Sequence, residues 1–556
     1  MAHSGRLREV WKTLGSPFLV CVVALVLATK GIMSEATIAF NGDMPRYLMN
    51  GVYLLDLLRD GVAPADAMHH ARLYFAQYPA LSLGHHPVLL PMAEVPFFAA
   101  LGISVSTGRI AILFILLLGL LAWFYLIKAI WGEKVAFWSS LLLASSPLVV
   151  SVSRMVMSEI PVISLTIAAF FFYYRFAEHG KTRDLALLAV SVVLACYAKQ
   201  MAVFVLPVFA LHYAFRRGFK ALFAPRLLAA LAVVGGALIP LAWLTLRFSS
   251  ANVTWVVESN TGGEVELPIR HAVYFLRRLW EDAYVAPVVA LSFLGIAAAF
   301  VFKHRQAALF ILWIAVSAML VIYVRVLEAR MAVYFLPPFA LFAVLSAELV
   351  SSASLGSGVV TAKRAGKVLW GLVFALTAYQ IVSAYAADPE YTEGYEEAAR
   401  FVAENRKGTT ILFSSSVDTG YFVFFARKHD PQRELIIMRA NKVLATSHYN
   451  QTVDDQISDV DEIYQMLRDY GTCHIVTEDR DAGSRALNWL REELDTDRFI
   501  LRKRIALKTT ERRLQGVSLL IHEYKDCTAP RLDAPIDMNV PLGGMSINMR
   551  LGDLLK

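Results

Sequence analysis

The sequence predicts an α-helical polytopic membrane protein that ends in a soluble α/β domain. Three observations support this prediction. The 556 residues are 57% apolar with a mean hydropathy of +0.51, and the apolar residues gather in long blocks that a soluble core does not need. Charged residues make up only 18% of the chain, against about 25% in a typical soluble domain. From about residue 389 the long blocks give way to short amphipathic and strand-like segments.

The apolar blocks predict about eleven membrane spans, each needing roughly 17 to 25 residues. The first block, "PFLVCVVALVLATKGIM", has no small-residue cleavage site soon after it and is interpreted as a retained span rather than a signal peptide. The fifth and sixth spans are short and are predicted to form one helical hairpin. The predicted spans are 17–36, 108–128, 135–152, 157–176, 185–199, 201–215, 227–248, 284–302, 307–324, 331–350 and 367–386.

The distribution of Lys and Arg predicts the orientation. They concentrate in short alternate loops such as "RLREVWK", "KAIWGEK" and "KRAGK", which marks those loops as cytoplasmic. The net charge of +7 therefore does not indicate a nucleic-acid ligand. The basic residues lie in the short loops between the spans and do not form one phosphate-binding stripe. We therefore expect an integral protein of a bacterial inner membrane, with a cytoplasmic N-terminus and an extracytoplasmic, periplasmic C-terminal domain.

The predicted domains are a transmembrane domain (1–388), an outer α/β domain (389–530) and an irregular tail (531–556). In the outer loop 37–107, "PRYLMNGVYLLDLLRDG" predicts an amphipathic helix with Leu54, Leu55 and Leu58 on its apolar side. The loop segment "HHPVLLPMAEVPFFAALG" holds three prolines and predicts a broken interfacial helix.

The α/β domain repeats a helix, glycine, strand order and ends in a predicted strand pair, "RFILRKRIAL" and "VSLLIHEY". Cys473 and Cys527 lie there and would pair in an oxidising compartment, but their proximity does not follow from the sequence. The sequence contains no glycine-rich nucleotide fingerprint.

Charged residues at a membrane boundary are costly, so each is a functional candidate. Asp43, Arg46, Tyr47 and Asn50 follow the first span at i, i+3, i+4 and i+7, and in a helix they share one face. Two interpretations of Asp43 are open. It caps the helix that starts near Pro45, or it is a general base held at the membrane surface.

Two further outer turns carry charges. Glu159 in "SRMVMSEIP" either complements a helix dipole or is a second acid facing the same cavity as Asp43. Lys199 in "CYAKQMAVFVLP", and Glu328 and Arg330 in "RVLEARMAVYFLPP", stand at hairpin tips. The two cations either snorkel to lipid headgroups or bind a phosphate.

His85 and His86 are adjacent, and no third or fourth ligand stands at a recognised metal spacing. His86 is therefore interpreted as a hydrogen-bond donor to phosphate or sugar rather than as a metal ligand. We expect no cofactor, and a divalent metal is the alternative that stays open.

These motifs, in this order, resemble the polyprenyl-phosphate-dependent glycosyltransferases of the GT-C superfamily. The resemblance is strongest to glycosyltransferase family 39, which includes protein O-mannosyltransferases and the bacterial lipid A aminoarabinose transferase. "DMPRY" resembles the family's D-E-x-R-Y stretch, with Met44 in the place of its second acid. Four more motifs resemble family turns: "GHHPVLLPM", "SRMVMSEIP", "CYAKQMAVFVLP" and "ARMAVYFLPPFALF".

The resemblance implies a GT-C fold and a transfer from a polyprenyl-phosphate sugar to a hydroxyl of a lipid, glycan or protein. It implies Asp43 and Glu159 as the catalytic acids, with Asp43 as the base of an inverting displacement. The implied donor-phosphate and sugar-binding residues are Arg46, Tyr47, His85, His86, Lys199, Arg330 and Tyr334. Two rivals stay open at this point: a lipid or glycan transporter or flippase, and a non-catalytic membrane sensor or scaffold.

Overall fold

The computed structural model describes most of the chain and divides it into two compact units. The helical unit comprises Met1–Met33, Arg109–Trp243 and Ser259–Pro389, and the mixed unit comprises Ser34–Gly108, Leu244–Glu258 and Glu390–Lys556. Each unit is considered by itself. The described residues are 2–31, 34–37, 42–82, 86–247, 268–324, 328–352, 359–415, 420–447, 453–480, 484–540 and 545–555.

The helices account for most of the described chain. In chain order they are α1 Ala2–Thr29, α2 Met44–Arg59, α3 Ala67–Gln77, α4 Leu89–Leu101, α5 Val105–Trp131, α6 Glu133–Ala144, α7 Pro147–Ser153, α8 Glu159–His179, α9 Thr182–Ala198, α10 Val205–Arg217, α11 Pro225–Arg247, α12 Pro268–Arg278, α13 Ala286–Val301, α14 Ala307–Val324, α15 Leu336–Ser352, α16 Val359–Ala386, α17 Tyr395–Glu404, α18 Gly420–Lys428, α19 Ala440–Val443, α20 Val460–Asp469 and α21 Arg485–Leu494. Two 3₁₀ helices, Gln200–Phe204 and Ala329–Phe335, matter for the site.

Each predicted span overlaps a helix or a pair of helices, although the first, 17–36, extends past the end of α1 at Thr29. Five helices in the described residues are long and apolar enough to cross a membrane: Val105–Trp131, Glu159–His179, Pro225–Arg247, Ala329–Ser352 and Lys363–Ala386. A sixth candidate is the pair α6 and α7, which is bent by 60°. Gly15–Thr29, Ala286–Val301 and Ala307–Tyr323 are apolar but shorter. The predicted hairpin falls on α9 and α10, which the 3₁₀ turn Gln200–Phe204 joins. The chain is an integral membrane protein.

Helices α13 and α15 approach closely at one glycine of the helical unit. A Cβ atom added to Gly295 would lie 1.9 Å from the carbonyl oxygen of Phe342. That distance is far inside van der Waals contact, and backbone atoms cannot move aside as a side-chain tip can. Glycine at this crossing lets the two backbones meet, as small residues do in membrane helix packing.

We expect Gly295→Ala to destabilise the helical unit by roughly 1 to 3 kcal/mol, the usual cost of overpacking. Thermal unfolding of the detergent-solubilised protein would measure the effect. Gly371→Ala on α16 is the matched control, because nothing lies within 4 Å of a Cβ built there. Equal melting temperatures for the two variants would contradict the close approach at Gly295.

The core of the mixed unit is a five-stranded sheet with strand order β3-β2-β6-β9-β7. The described strands are β1 Thr392–Glu393, β2 Thr410–Ser414, β3 Ile436–Arg439, β4 Ala445–Ser447, β5 Val453–Asp455, β6 Thr472–Glu478, β7 Phe499–Ala506, β8 Lys508–Thr509, β9 Ser518–Tyr524, β10 Pro535–Val540 and β11 Met545–Arg550. β2 is parallel to β3 and β6, while β9 is antiparallel to β6 and β7. The predicted α/β character and the terminal strand pair are confirmed.

The prediction of an irregular tail is wrong for most of its residues. β10 and β11 pair in antiparallel register from Pro535↔Arg550 to Val540↔Met545. Ile536, Met538 and Ile547 are buried in the same core as the sheet. The proline and glycine content favoured an irregular tail. Every second residue of the paired strands is apolar, however, and the buried residues among them pack against the core of the sheet.

The helices of the outer loop differ in detail from the prediction. In α2, Leu55 is 4% exposed, but Leu58 is 69% exposed and does not belong to the buried face. That face begins instead at Met44, Tyr47 and Leu48, which are essentially inaccessible. The predicted broken helix is one helix, α4, with Pro91 in its first turn, where a missing N–H costs nothing, and Pro96 in its interior.

The outer loop joins the C-terminal residues within the mixed unit through buried polar contacts. Asp56 of α2 and Arg427 of α18 form an ion pair of 2.7 Å, with side chains 2% and 3% exposed. The Tyr74 hydroxyl donates to the same Asp56 carboxylate at 2.7 Å, and the Tyr78 hydroxyl donates to Asp430 at 2.7 Å. The predicted division assigned this loop to the transmembrane domain, whereas in the structure it groups with residues 390–556.

Cys473 and Cys527 form a disulfide, with their Cα atoms 5.1 Å apart. It ties the start of β6 to the segment that follows β9. Cys21 and Cys196 are free and lie in the apolar helices α1 and α9.

Candidate active site

The first predicted set of residues lies at the start of α2 in the mixed unit. The Asp43 carboxylate is 3.7 Å from Nη1 of Arg46 and 3.4 Å from Nε2 of His86. The Asp43 side chain is about a quarter exposed, and that of His86 is mostly buried. A carboxylate is therefore held between two basic side chains and still reaches the surface.

The geometry does not favour the capping interpretation of Asp43. The residue occupies the N-cap position of α2, but its side chain makes no capping hydrogen bond. Asn50, two turns further along, is buried and anchors the helix instead. Its amide donates to the Ser82 hydroxyl at 3.1 Å and accepts from the Ser82 N–H at 3.0 Å.

His86 is positioned by Tyr47. The two rings stack with centroids 4.5 Å apart, and the Tyr47 hydroxyl lies 3.3 Å from Nδ1 of His86. This leaves Nε2 of His86 on the side of Asp43. His85, the other predicted histidine, lies outside the described residues.

The C-terminal domain contributes two cations that sequence reasoning missed. Arg439 ends β3, and Lys442 lies three residues later in α19. Burial, followed by the positive charges of Arg439 and Arg46, lowers the pKa of Lys442 to about 7. Arg46 thus belongs to a cationic group drawn from the first and the last segment of the mixed unit. The signal was present in "RANK", two cations three residues apart just after a buried strand.

The depressed pKa of Lys442 predicts a pH-dependent stability. Between about pH 7 and 10 the unfolded Lys442 carries a proton that the folded one has released, so stability rises with pH through this window. We expect a gain on the order of 3 kcal/mol, which Lys442→Gln should abolish. Unfolding of the solubilised protein at several pH values would measure it. Lys508→Gln, at an exposed lysine, should keep the wild-type slope; a wild-type slope in Lys442→Gln would contradict the prediction.

The second predicted set lies in the helical unit around Glu159, at the first position of α8. The Glu159 side chain is fully buried, and its carboxylate is 2.7 Å from Nζ of Lys199 and 3.7 Å from Nε of Arg330. Arg330 also contacts Glu328, and its Nη1 lies 3.4 Å from the sulfur of Met157. A buried carboxylate that binds two cations argues against simple snorkelling of Lys199 and Arg330.

Breaks in regular helix bring these side chains together. Lys199 has an extended backbone between α9 and the 3₁₀ turn Gln200–Phe204. Arg330 and Tyr334 belong to the 3₁₀ helix Ala329–Phe335. Nε1 of Trp313 donates to the Tyr334 carbonyl at 2.6 Å, which satisfies one backbone group of that irregular segment.

Arg154 does not contribute its guanidinium to this set. Its Nη2 donates to the carbonyl of Leu27 at 2.7 Å, which ties α7 to the end of α1. Arg109 in turn donates to the Arg154 carbonyl at 2.8 Å. Both arginines satisfy backbone groups between helices, which is a structural role.

A small apolar cleft lies beside the Glu159 set within the helical unit. Ile160, Ile163 and Ile167 of α8 line one wall, and Val333 and Leu336 line another. Glu159 directly precedes the first of these residues, and Val333 belongs to the 3₁₀ helix of Arg330. The charged cluster and the apolar cleft are thus both built from α8 and the 3₁₀ helix Ala329–Phe335. A ligand with an ionic head and an aliphatic tail would require such an arrangement.

The site residues are divided between the two units. Asp43, Arg46, Tyr47 and His86 belong to the mixed unit, and Glu159, Lys199, Arg330 and Tyr334 to the helical unit. That all of them act in one cleft stays a prediction. The described part of the chain contains no group of three or more His, Cys, Asp or Glu side chains arranged to hold a metal ion; whether the protein uses a cofactor stays untested.

Comparisons with known proteins concern the family likeness and the fold of the chain. Residues 85–245 match the family model of dolichyl-phosphate-mannose-protein mannosyltransferases, a segment that contains His86, Glu159 and Lys199. The sequence matched no curated protein.

Solved structures match over nearly the whole chain. ArnT from Cupriavidus metallidurans in the apo state matches with a TM-score of 0.55 and 11% identity, over 93% of this chain and all of that one. ArnT from the same organism bound to undecaprenyl phosphate gives 0.53 and 11%, over 93% and 99%. The oligosaccharyltransferase AglB from the archaeon Archaeoglobus fulgidus, in complex with an inhibitory peptide and a dolichol-phosphate, gives 0.50 and 11%, over 84% and 70%. At these identities the likeness establishes the fold. The chain has the fold of these structures, the GT-C fold that the resemblance of its motifs predicted.

Proposed function

We propose that the protein is a membrane glycosyltransferase that moves a sugar from a polyprenyl-phosphate donor to a hydroxyl acceptor. The observation that carries this proposal is the Asp43 carboxylate. It makes no capping hydrogen bond, lies within 4 Å of both Arg46 and His86, and remains partly exposed. A carboxylate so positioned is suited to remove a proton from an incoming hydroxyl.

The proposed reaction is a single displacement with inversion. The acceptor oxygen forms a bond to the anomeric carbon while the bond from that carbon to the phosphate oxygen breaks. The electron pair leaves with the phosphate, and the acceptor proton passes to Asp43. The nearby His86 and Arg46 orient the carboxylate for this transfer.

Lys199 and Arg330 are the proposed donor-phosphate ligands. Their charges stabilise the negative charge that develops on the leaving phosphate. Glu159 is fully buried and binds both cations, so we propose that it positions them rather than exchanging protons with the substrate. The ArnT structure of the same fold was solved with undecaprenyl phosphate bound, and the residues beside the Glu159 set are apolar, as contact with an isoprenoid chain requires.

The proposed reaction takes place on the extracytoplasmic face of a bacterial inner membrane. The Lys and Arg distribution supports this orientation. The disulfide between Cys473 and Cys527 supports it independently, because disulfides persist in oxidising compartments. The acceptor is a lipid, a glycan or a protein hydroxyl, and the fold itself is compatible with each.

Two measurements test the proposal. Mass spectrometry of lipids that copurify with the protein should detect a polyprenyl phosphate or its sugar derivative. Transfer from a synthetic polyprenyl-phosphate sugar should then give a product of inverted anomeric configuration by NMR. A product that retains the donor configuration would exclude Asp43 as the base of a single displacement, and failure to bind any polyprenyl phosphate would overturn the donor assignment.

A further inference from the structure

A carboxyl group is buried between two helices of the mixed unit without a hydrogen-bond partner. Glu94 lies on α4 with Leu90 and Phe98, and the three side chains share one buried face at i, i+4 and i+8. Both carboxyl oxygens of Glu94 are inaccessible, and neither makes a hydrogen bond to any described residue. Buried carboxyl groups normally have such partners, so Glu94 occupies a position where the helix pattern predicts an apolar side chain.

The Glu94 side chain packs directly against α2 at Gly51. A Cβ atom added to Gly51 would lie 2.3 Å from Oε2 of Glu94 and 2.9 Å from Cε2 of Phe98. Any residue larger than glycine would therefore occupy the space that the carboxyl group fills. The carboxyl group lies at the contact of α2 with α4 and has no surface exposed to water.

This contact joins the two elements that carry Asp43 and His86. Asp43 directly precedes α2, and His86 lies just before the start of α4. The distance of 3.4 Å between the Asp43 carboxylate and Nε2 of His86 therefore depends on how α2 packs against α4.

No charged side chain of the described elements stabilises the ionised form of Glu94. α2 packs along α4, and its titratable side chains are Arg46, Tyr47, Tyr53, Asp56 and Arg59. Arg46 contacts Asp43, and Tyr47 contacts His86. Asp56 pairs with Arg427. The Tyr53 hydroxyl donates to the carbonyl of Ala67 at 3.1 Å, and Arg59 is exposed. Burial alone raises the pKa of Glu94 well above its ordinary range.

We propose that Glu94 is a positioning residue for Asp43: its neutral acid form holds α2 against α4, and its ionisation at alkaline pH separates the two helices and stops sugar transfer. A carboxylate that ionises has to be hydrated or paired with a positive charge. The contact with Gly51 offers neither, so ionisation of Glu94 requires that the helices move apart. Asp43 and His86 then separate, because each lies at the start of one of the two helices. The effect on sugar transfer rests on the proposed function, whereas the effect on the helix contact does not.

Glu94→Gln tests the proposal in the full-length protein in nanodiscs, because glutamine keeps the shape of the neutral acid and does not ionise. At neutral pH, infrared difference spectra should show a carboxylic acid C=O band that Glu94→Gln removes. Above the pKa of Glu94 the wild-type protein should lose transfer activity, roughly tenfold for each pH unit, whereas Glu94→Gln keeps its activity to higher pH. Glu404→Gln, at an exposed glutamate of the same unit, is the matched control and should follow the wild-type profile.

Thermal unfolding gives a measurement that needs no substrate. The unfolded chain releases the Glu94 proton at a lower pH than the folded protein, so wild-type stability falls as the pH rises between the ordinary and the raised pKa. Glu94→Gln lacks this loss. Its melting temperature relative to the wild type should therefore increase with pH through that interval and then level off.

Carbethoxylation of His86 by diethyl pyrocarbonate, measured by mass spectrometry without substrate, reports the helix contact. At alkaline pH, His86 should react faster in the wild-type protein than in Glu94→Gln at the same pH. Equal rates, a Glu94 carboxyl that is already ionised at neutral pH, or an alkaline loss of transfer that Glu94→Gln leaves unchanged would each overturn the proposal. A difference at His86 in a protein without any transfer activity would leave the helix contact intact and count against the glycosyltransferase proposal alone.

Discussion

Asp43→Asn is expected to abolish sugar transfer while leaving folding and donor binding intact. The substitution keeps the size of the side chain and removes the group that accepts the acceptor proton. A positioned general base typically contributes roughly 10² to 10⁴ in rate, so kcat should fall by at least that factor. Transfer from a polyprenyl-phosphate sugar and donor binding, measured on the same preparation, would show the difference.

Asp66→Asn supplies the matched control for this prediction. Asp66 occupies the N-cap position of α3 and, like Asp43, makes no side-chain capping bond. It is exposed and lies outside the Arg46 and His86 set. If activity falls because a negative charge is removed from a helix end, both variants should lose activity. If it falls because the base is lost, only Asp43→Asn should lose activity. Turnover close to wild type in Asp43→Asn would remove Asp43 from the mechanism.

Lys199→Ala is expected to weaken donor binding and to destabilise the helical unit. Its ammonium lies 2.7 Å from the Glu159 carboxylate, which is fully buried. Removing one member of a buried ion pair typically costs about 3 to 5 kcal/mol, and we expect a smaller loss here because Arg330 still lies 3.7 Å from the Glu159 carboxylate. If Lys199 also binds the donor phosphate, affinity for a polyprenyl phosphate should fall by at least tenfold.

A double variant separates the two effects of Lys199. In Lys199→Ala with Glu159→Gln no unpaired charge remains, so stability should largely return while donor affinity stays low. Lys181→Ala is the control, since Lys181 is an exposed lysine at the other end of the same helix. Recovery of donor affinity together with stability in the double variant would show that Lys199 serves the fold and not the phosphate.

The sequence predicted the features that depend on neighbouring residues along the chain. Apolar block length located the helices of the helical unit, and the spacing of Asp43, Arg46 and Tyr47 predicted that they share one face of α2. Features that depend on packing between distant segments were missed. Leu58 looks apolar in its own helix, but its burial depends on whether another element covers that side.

The missed cations have the same explanation. Arg439 and Lys442 stand almost four hundred residues after Arg46, and no local pattern shows that the chain brings them together. A buried strand followed by basic residues does signal a ligand edge in an α/β sheet. That signal identifies a possible anion site but not the helix that will face it.

The buried pair of Asp56 and Arg427 has a consequence for engineering. Removal of residues 389–556 would strip Asp56 of its counter-charge inside the helix that carries Asp43, so a truncated protein would lose activity whether or not the domain recognises an acceptor. Exchange of segments between proteins of this fold has to move residues 34–108 and 390–556 together. A hybrid that takes these two segments from different proteins can bury Asp56 without its counter-charge. Loss of activity in such a hybrid would give no information about substrate choice.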